Sequence, residues 1–120
     1  EPTTNNQEPK MPLHQLAQTL GADRVITDAA ERAFYSSDVY AQAEPCAAVV
    51  RPQSIDELQR ALRALAATKT PVVARGGGLS YTDAYLPATP DTVVVDLVAL
   101  DRIHEINETD RYVVVETGCT

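Results

Sequence analysis

The chain has 120 residues and a formal charge of −7, from 17 acidic side chains against 10 basic ones. That balance, with no cluster of Lys and Arg, argues against nucleic acid as a partner, because phosphate backbones are held by grouped cations. Apolar residues make up 44% and aromatic residues 5%, a composition that supports one domain with one modest core.

The first ten residues, EPTTNNQEPK, are polar and carry two prolines. They read as a flexible arm and not as a signal peptide. No apolar run approaches the ~18 residues that a membrane span needs, so no span is predicted and a cytoplasmic protein is the expectation. The chain opens on Glu1 without Met. Either the start was removed or this is a piece of something longer.

Residues 11–43 are predicted to form an N-terminal helical segment. In MPLHQLAQTLG, Leu13, Leu16, Ala17 and Leu20 share a helical face, and Gly21 ends it. His14 falls on the polar side. A short helix is predicted over DAAERAFYSS, with Asp28 as its cap and Glu31 three positions on.

Residues 44–120 are predicted to form the main unit. CAAVVRP is a short buried strand that Pro52 ends. SIDELQRALRALAATK carries the strongest helix pattern, with Ser54 and Glu57 placed as a reciprocal capping box. Ile55, Leu58, Ala61, Leu62, Leu65 and Ala66 make its apolar face. PVVAR follows as another buried strand, so strand, helix and strand form a βαβ unit with parallel strands and a right-handed crossover. DTVVVDL adds a third Val-rich strand. IHEIN and RYVVVET, joined by ETD, predict an antiparallel hairpin with Ile103 and Ile106 partly inward and His104 outward. Cys46 and Cys119 match no metal-ligand spacing and are expected to behave as small core hydrophobes. No metal site is predicted.

The stretch PVVARGGGLSYTDAYLP carries the functional information. Three glycines after a buried strand allow positive φ, let a ligand approach the backbone, and offer N–H groups to an anion. A P-loop needs Lys and then Ser or Thr after its last glycine, but Leu79 follows Gly78. A Rossmann fingerprint would use Gly76, Gly78 and Asp96 as its ribose acid. Tyr81 stands where its third glycine belongs, and Pro87 and Pro90 leave no room for the crossover helix. What remains is a loop that binds through its own backbone and hydroxyls, flanked by Arg75, Ser80, Tyr81, Thr82 and Asp83. Asp83 is expected to cap the turn or to pair with Arg75.

On these residues the chain resembles the FAD-binding (PCMH-type) domain of the vanillyl-alcohol oxidase and p-cresol methylhydroxylase family. The likeness spans roughly residues 35 to 120. It rests on YSSDVY, on EPCAAVVRPQSIDELQRAL, on PVVARGGGLSY, and on DTVVVDLVALDRIHEIN leading to RYVVVETGCT. It implies an α+β fold: the first lobe of a two-lobed domain, with a small parallel βαβ sheet and helices leading into an antiparallel hairpin. It also implies that Gly76, Gly77, Gly78, Leu79 and Ser80 line the FAD pyrophosphate, with Arg75, Tyr81 and Gly118 as near neighbours. Many members attach the flavin through a His two places after the middle glycine. Leu79 stands there, so FAD is expected to be bound without a covalent bond. Cys119 does not match the family's second attachment Cys.

The resemblance implies an FAD-dependent oxidoreductase taking hydride from a small-molecule substrate, with its catalytic residues and the rest of the FAD site in the remainder of the chain. TDAAERAFYSSD is similar to the D-lactate and glycolate dehydrogenase branch. GGGLSYTDAY is similar to the branch that oxidises sugars and sugar alcohols. The 2-hydroxy acid is the first reading and the sugar the alternative. The reading from another class is a non-catalytic βαβ module that holds a phosphate or a partner. The cell-wall nucleotide-sugar reductases share the flavin fold but use a Gly-Gly-Gly-Ser-Asn loop, which is absent here.

Overall fold

The computed structural model describes residues 13–120. The predicted arm of residues 1–10 lies outside the described residues. In chain order the elements are α1 (Leu13–Leu20), a 3-10 turn (Ala22–Arg24), β1 (Val25–Ile26), α2 (Ala29–Tyr35), β2 (Ala48–Val50) and α3 (Ile55–Ala67). They continue with β3 (Val72–Arg75), β4 (Val93–Asp96), β5 (Ile103–Asn107) and β6 (Tyr112–Val115). No described helix is long and apolar enough to cross a membrane.

Local chemistry sets the helix starts. Asp28 Oδ1 accepts the N–H groups of Ala30 and Glu31, both at 3.0 Å, which closes the first turn of α2. Ser54 Oγ accepts the Glu57 N–H at 3.1 Å at the head of α3. The reciprocal half of the box differs from expectation. Glu57 Oε2 accepts the Gln53 N–H at 2.8 Å and pairs with Arg24 Nε at 3.0 Å. The ion pair with the 3-10 turn draws the carboxylate one residue outward, and the Gln53 N–H bond holds it below its ordinary pKa.

Two sheets form, of four and two strands. The four-stranded sheet has the order β1-β2-β4-β3. β2 and β3 run parallel, as the βαβ pattern predicts, but β4 lies between them and pairs with both. β1, too short to show a pattern, adds an antiparallel edge beside β2. Val49, Val50, Val93, Val94 and Val95 are fully buried, as strands covered on both faces must be. Leu16 and Leu20 of α1 and Ala61 and Leu65 of α3 pack on one face with Val50 and Val93. Tyr35, Cys46, Val49 and Val94 pack on the other.

The apolar face of α3 is narrower than its sequence suggests. Ala61 and Leu65 are buried, while Ile55 and Leu62 are 48% and 41% exposed. α1 covers only one flank of the helix, so the other stays at the surface. Cys46 is buried, but Cys119 is only half-buried, in the turn that follows the hairpin.

The hairpin β5–β6 pairs antiparallel, with a register irregularity between Ile103 and Glu105. Ile103 and Ile106 are 57% and 65% exposed, so neither faces inward. No described element covers the pair, and Val113, Val114 and Val115 are exposed as well. His104 does point outward, with Nε2 3.3 Å from Glu116 Oε1.

Candidate functional site

Because β2, β4 and β3 are parallel, their carboxyl ends reach one edge of the sheet. That edge, where strands give way to loops, is where open α/β sheets take ligands. The chain places Arg51, Asp96 and Arg75 there, and the three glycines follow directly.

Asp96 is 2% exposed and fully engaged. Its Oδ2 accepts from Tyr35 Oη at 2.8 Å and from Arg51 Nε at 2.8 Å, and its Oδ1 from the Val98 N–H at 3.2 Å. Arg51 Nη2 also donates to the Tyr35 hydroxyl. Burial, and then the Asp96 bond, push the Tyr35 phenol above its ordinary pKa. The same carboxylate holds the Arg51 guanidinium up. This arrangement removes any role for Asp96 as a ribose acid, since its oxygens are already satisfied inside the fold.

Arg75 is built differently. It is 8% exposed, and its guanidinium carbon lies 5.0 Å from the Phe34 ring centroid, 4.8 Å from Tyr35 and 5.1 Å from Tyr85. Nη1 donates to the Phe34 carbonyl at 3.3 Å. Among the described residues no carboxylate pairs with it, and the expected Asp83 partner is elsewhere. Asp83 lies beside Asp38, whose carboxyl holds it above the ordinary carboxylate range. Asp38 itself is held low by the Ala41 and Tyr40 N–H groups, at 2.7 and 2.8 Å.

The three glycines meet three different surroundings. Gly78 adopts φ +75, and a Cβ there would come within 2.5 Å of Arg75 Nη2. Its carbonyl accepts from Tyr85 Oη at 2.8 Å, so Arg75 and Tyr85 clamp it from below. Gly77 lacks positive φ, and a Cβ on it would meet nothing within 4 Å. The backbone at Gly77 faces open space. At Gly76 the nearest atom to a Cβ is the Thr117 carbonyl oxygen at 3.8 Å, which brings the end of the hairpin to the turn.

The other expected residues divide. Ser80 Oγ accepts the Thr82 N–H at 3.2 Å, which shapes the loop from within. Leu79 is 75% exposed, and Tyr81, 65% exposed, meets the Tyr40 ring with centroids 5.5 Å apart. Gly118 is buried against the Leu97–Leu100 turn, one residue from the carbonyl that reaches Gly76. A cavity of about 160 Å³ joins Arg75, Gly76 and Gly77 to Phe34, Tyr35, Asp96 and Val98.

Phe34, Tyr35 and Val98 were not expected as lining residues. Tyr35 opens the YSSD stretch, but nothing in its spacing points to Arg75, 40 residues on.

A model of the family described as "FAD binding domain" matches residues 45–120. The D-2-hydroxyglutarate dehydrogenase of Stutzerimonas stutzeri (strain A1501) is 31% identical over 107 residues, 88% of this chain and 23% of that protein. The quinone-dependent D-lactate dehydrogenase of Escherichia coli (strain K12) is 26% identical over 113 residues, 91% of this chain and 19% of that one. Among solved structures, 4-ethylphenol oxidase from Gulosibacter chungangensis, in an isoeugenol complex, superposes with a TM-score of 0.75 at 30% identity. That match covers 88% of this chain and 21% of the oxidase. The chain therefore spans about a fifth of the length of the proteins it matches.

Proposed function

Because the chain belongs to the FAD binding domain family, we propose that it is part of an FAD-dependent oxidoreductase that oxidises a 2-hydroxy acid. The observation that carries this reading is the glycine turn at the carboxyl edge of the parallel strands. Open backbone at Gly77 lies beside a buried guanidinium with which no carboxylate pairs among the described residues. An anion fits that combination, because N–H groups and a cation are offered with no Cβ in the way.

Gly76, Gly77, Gly78, Leu79 and Ser80 would hold the FAD pyrophosphate, with Arg75 and Tyr81 beside them and Gly118 bracing the turn from behind. Bound there, the flavin supplies the hydride acceptor for a C–H bond next to a hydroxyl. Leu79 offers no nucleophile, so no covalent link would form at this position and FAD would be held here by contacts alone. The exposed faces of β5–β6 and of Leu79 and Tyr81 are apolar surface for the remainder of the chain to cover, which would complete a pocket that buries the ligand. The 2-hydroxy acid is put ahead of the sugar because two relatives, 31% and 26% identical, are named for D-2-hydroxyglutarate and D-lactate; at that identity they speak for the family and not for the substrate.

The test is direct. The full-length protein should purify yellow, release FAD on acid treatment, and lose its flavin colour anaerobically with D-lactate, glycolate or D-2-hydroxyglutarate. Bleaching by sugars or sugar alcohols alone would move it to the alternative branch. A colourless protein that FAD does not turn yellow would leave only the binding-module reading.

A further inference from the structure

A buried charge in a folded protein is normally paired, because desolvating it without a partner is costly. Arg75 departs from that rule. At 8% exposure it is surrounded by Phe34, Tyr35 and Tyr85, with one carbonyl contact. The nearby Asp96 is occupied by Arg51, Tyr35 and the Val98 N–H. Ring faces attract a guanidinium and hold its plane, but they do not neutralise it. The charge therefore remains available to whatever enters the cavity that Arg75 shares with Gly76 and Gly77.

Two of the three rings come from α2, which lies outside the residues that the family model matches. Phe34 has no core role that would explain its place, since it is 61% exposed. It stands edge-on to Tyr35, with centroids 5.3 Å apart, and both rings close on the guanidinium. The Tyr85 hydroxyl donates to the Gly78 carbonyl, so one side chain touches both the cation and the turn. The third glycine completes the seat, because any side chain at Gly78 would displace the guanidinium.

We infer that Phe34, Tyr35 and Tyr85 are positioning residues that fix Arg75 under the glycine turn as the countercharge for the FAD pyrophosphate. This inference rests on the function proposed above. These 120 residues carry a formal charge of −7, and against that acidic background Arg75 is a cation held at short range from the turn.

The experiment titrates FAD into deflavinated full-length protein and follows quenching of flavin fluorescence. Tight binding by the unaltered protein tests the functional reading and is scored first. Arg75→Met keeps the length and apolar stem inside the ring cage, and should weaken FAD binding at least tenfold. Arg75→Lys restores the charge and should recover most of that loss. Equal loss in both variants would show that the charge is not what FAD uses and would overturn the countercharge role, and affinity within twofold for Arg75→Met would show that Arg75 does not act on FAD. Phe34→Leu removes an exposed ring without opening the core, and should weaken binding at least threefold in the Arg75 protein. In the Arg75→Met background the same change should have no effect. Additive losses would overturn the positioning role while leaving the FAD site itself intact.

Discussion

Gly118 and Leu97 are in direct backbone contact: a Cβ at Gly118 would lie 2.2 Å from the Leu97 carbonyl oxygen. The carbonyls of Val98 and Leu100 close in at 2.7 and 2.8 Å, and the Gly118 N–H donates to Leu100 O at 2.7 Å. Backbone cannot rotate aside as a side chain can. Gly118→Ala is therefore expected to destabilise the protein by about 3 kcal/mol, the upper end for overpacking. Urea unfolding of the full-length protein measures it, and a loss below ~1 kcal/mol would mean that the turn shifts freely.

Gly77 and Gly78 should separate binding from folding. Gly77→Val adds a side chain into open space, so stability should stay within about 0.5 kcal/mol of the parent. FAD affinity should fall more than tenfold, because the same space is where the pyrophosphate would come against the backbone. Gly78→Ala combines φ +75 with a clash against Arg75, and should lower the melting temperature as well. Unchanged flavin content in Gly77→Val would identify the loop as a plain turn.

The Asp38–Asp83 pair predicts a pH dependence. Asp83 is held above its ordinary pKa by the Asp38 side chain, so its proton stabilises the fold below ~4. That contribution is lost as pH rises through the folded value. Asp38 is held low by the N–H groups of Ala41 and Tyr40, so its share runs the other way and is lost as pH falls through its own folded value. Asp83→Asn keeps a donor beside Asp38 at every pH. Its melting temperature should exceed the parent's by a margin that grows from pH 4 to pH 7. Asn also tolerates φ +55 at this position, an advantage that does not change with pH. A margin that stays flat across the range would remove the proton from the account.

Covalent attachment is open to a simple check. With Leu79 in place, denaturation of the full-length protein should release all flavin into the supernatant. A flavin-fluorescent band on a denaturing gel would require a nucleophile elsewhere in the protein.

The 120 residues expressed alone should be colourless and self-associating. A hairpin of two strands is marginal without a third strand or a covering layer, and both faces of β5–β6 carry exposed Ile and Val. Light scattering and FAD titration of this stretch test the expectation. A monomeric yellow product with sub-micromolar affinity would contradict it.

Much of the fold was legible because its signals are local. Asp28 and Ser54 mark helix starts by side chains that close their own first turns. The Val runs of β2 and β4 show burial on both faces by lacking any polar alternation. Strand order was not legible, since nothing in DTVVVDL says that it enters between two strands already made. β1 escaped because two residues carry no period. Ile103 and Ile106 were misread because an apolar side chain in a hairpin faces inward only where something lies over it. The glycine turn was visible, but the seat of Arg75 was not. Its rings come from α2 and from beyond the turn, and only the folded chain brings them together.

The central place of β4 also bears on how this chain is made. β2 and β3 have no bonds to each other and join only through a strand that ends at Asp96. On the ribosome α3 can coil as soon as it emerges, but β3, and the edge of β2 that faces away from β1, have no partner until about 20 further residues have been added. Through that interval the glycine turn has no sheet beneath it, and β2 and β3 present unpaired Val-rich edges. Chaperone capture of nascent chains should therefore be strongest for lengths that stop short of Asp96, and should drop once β4 has cleared the exit tunnel.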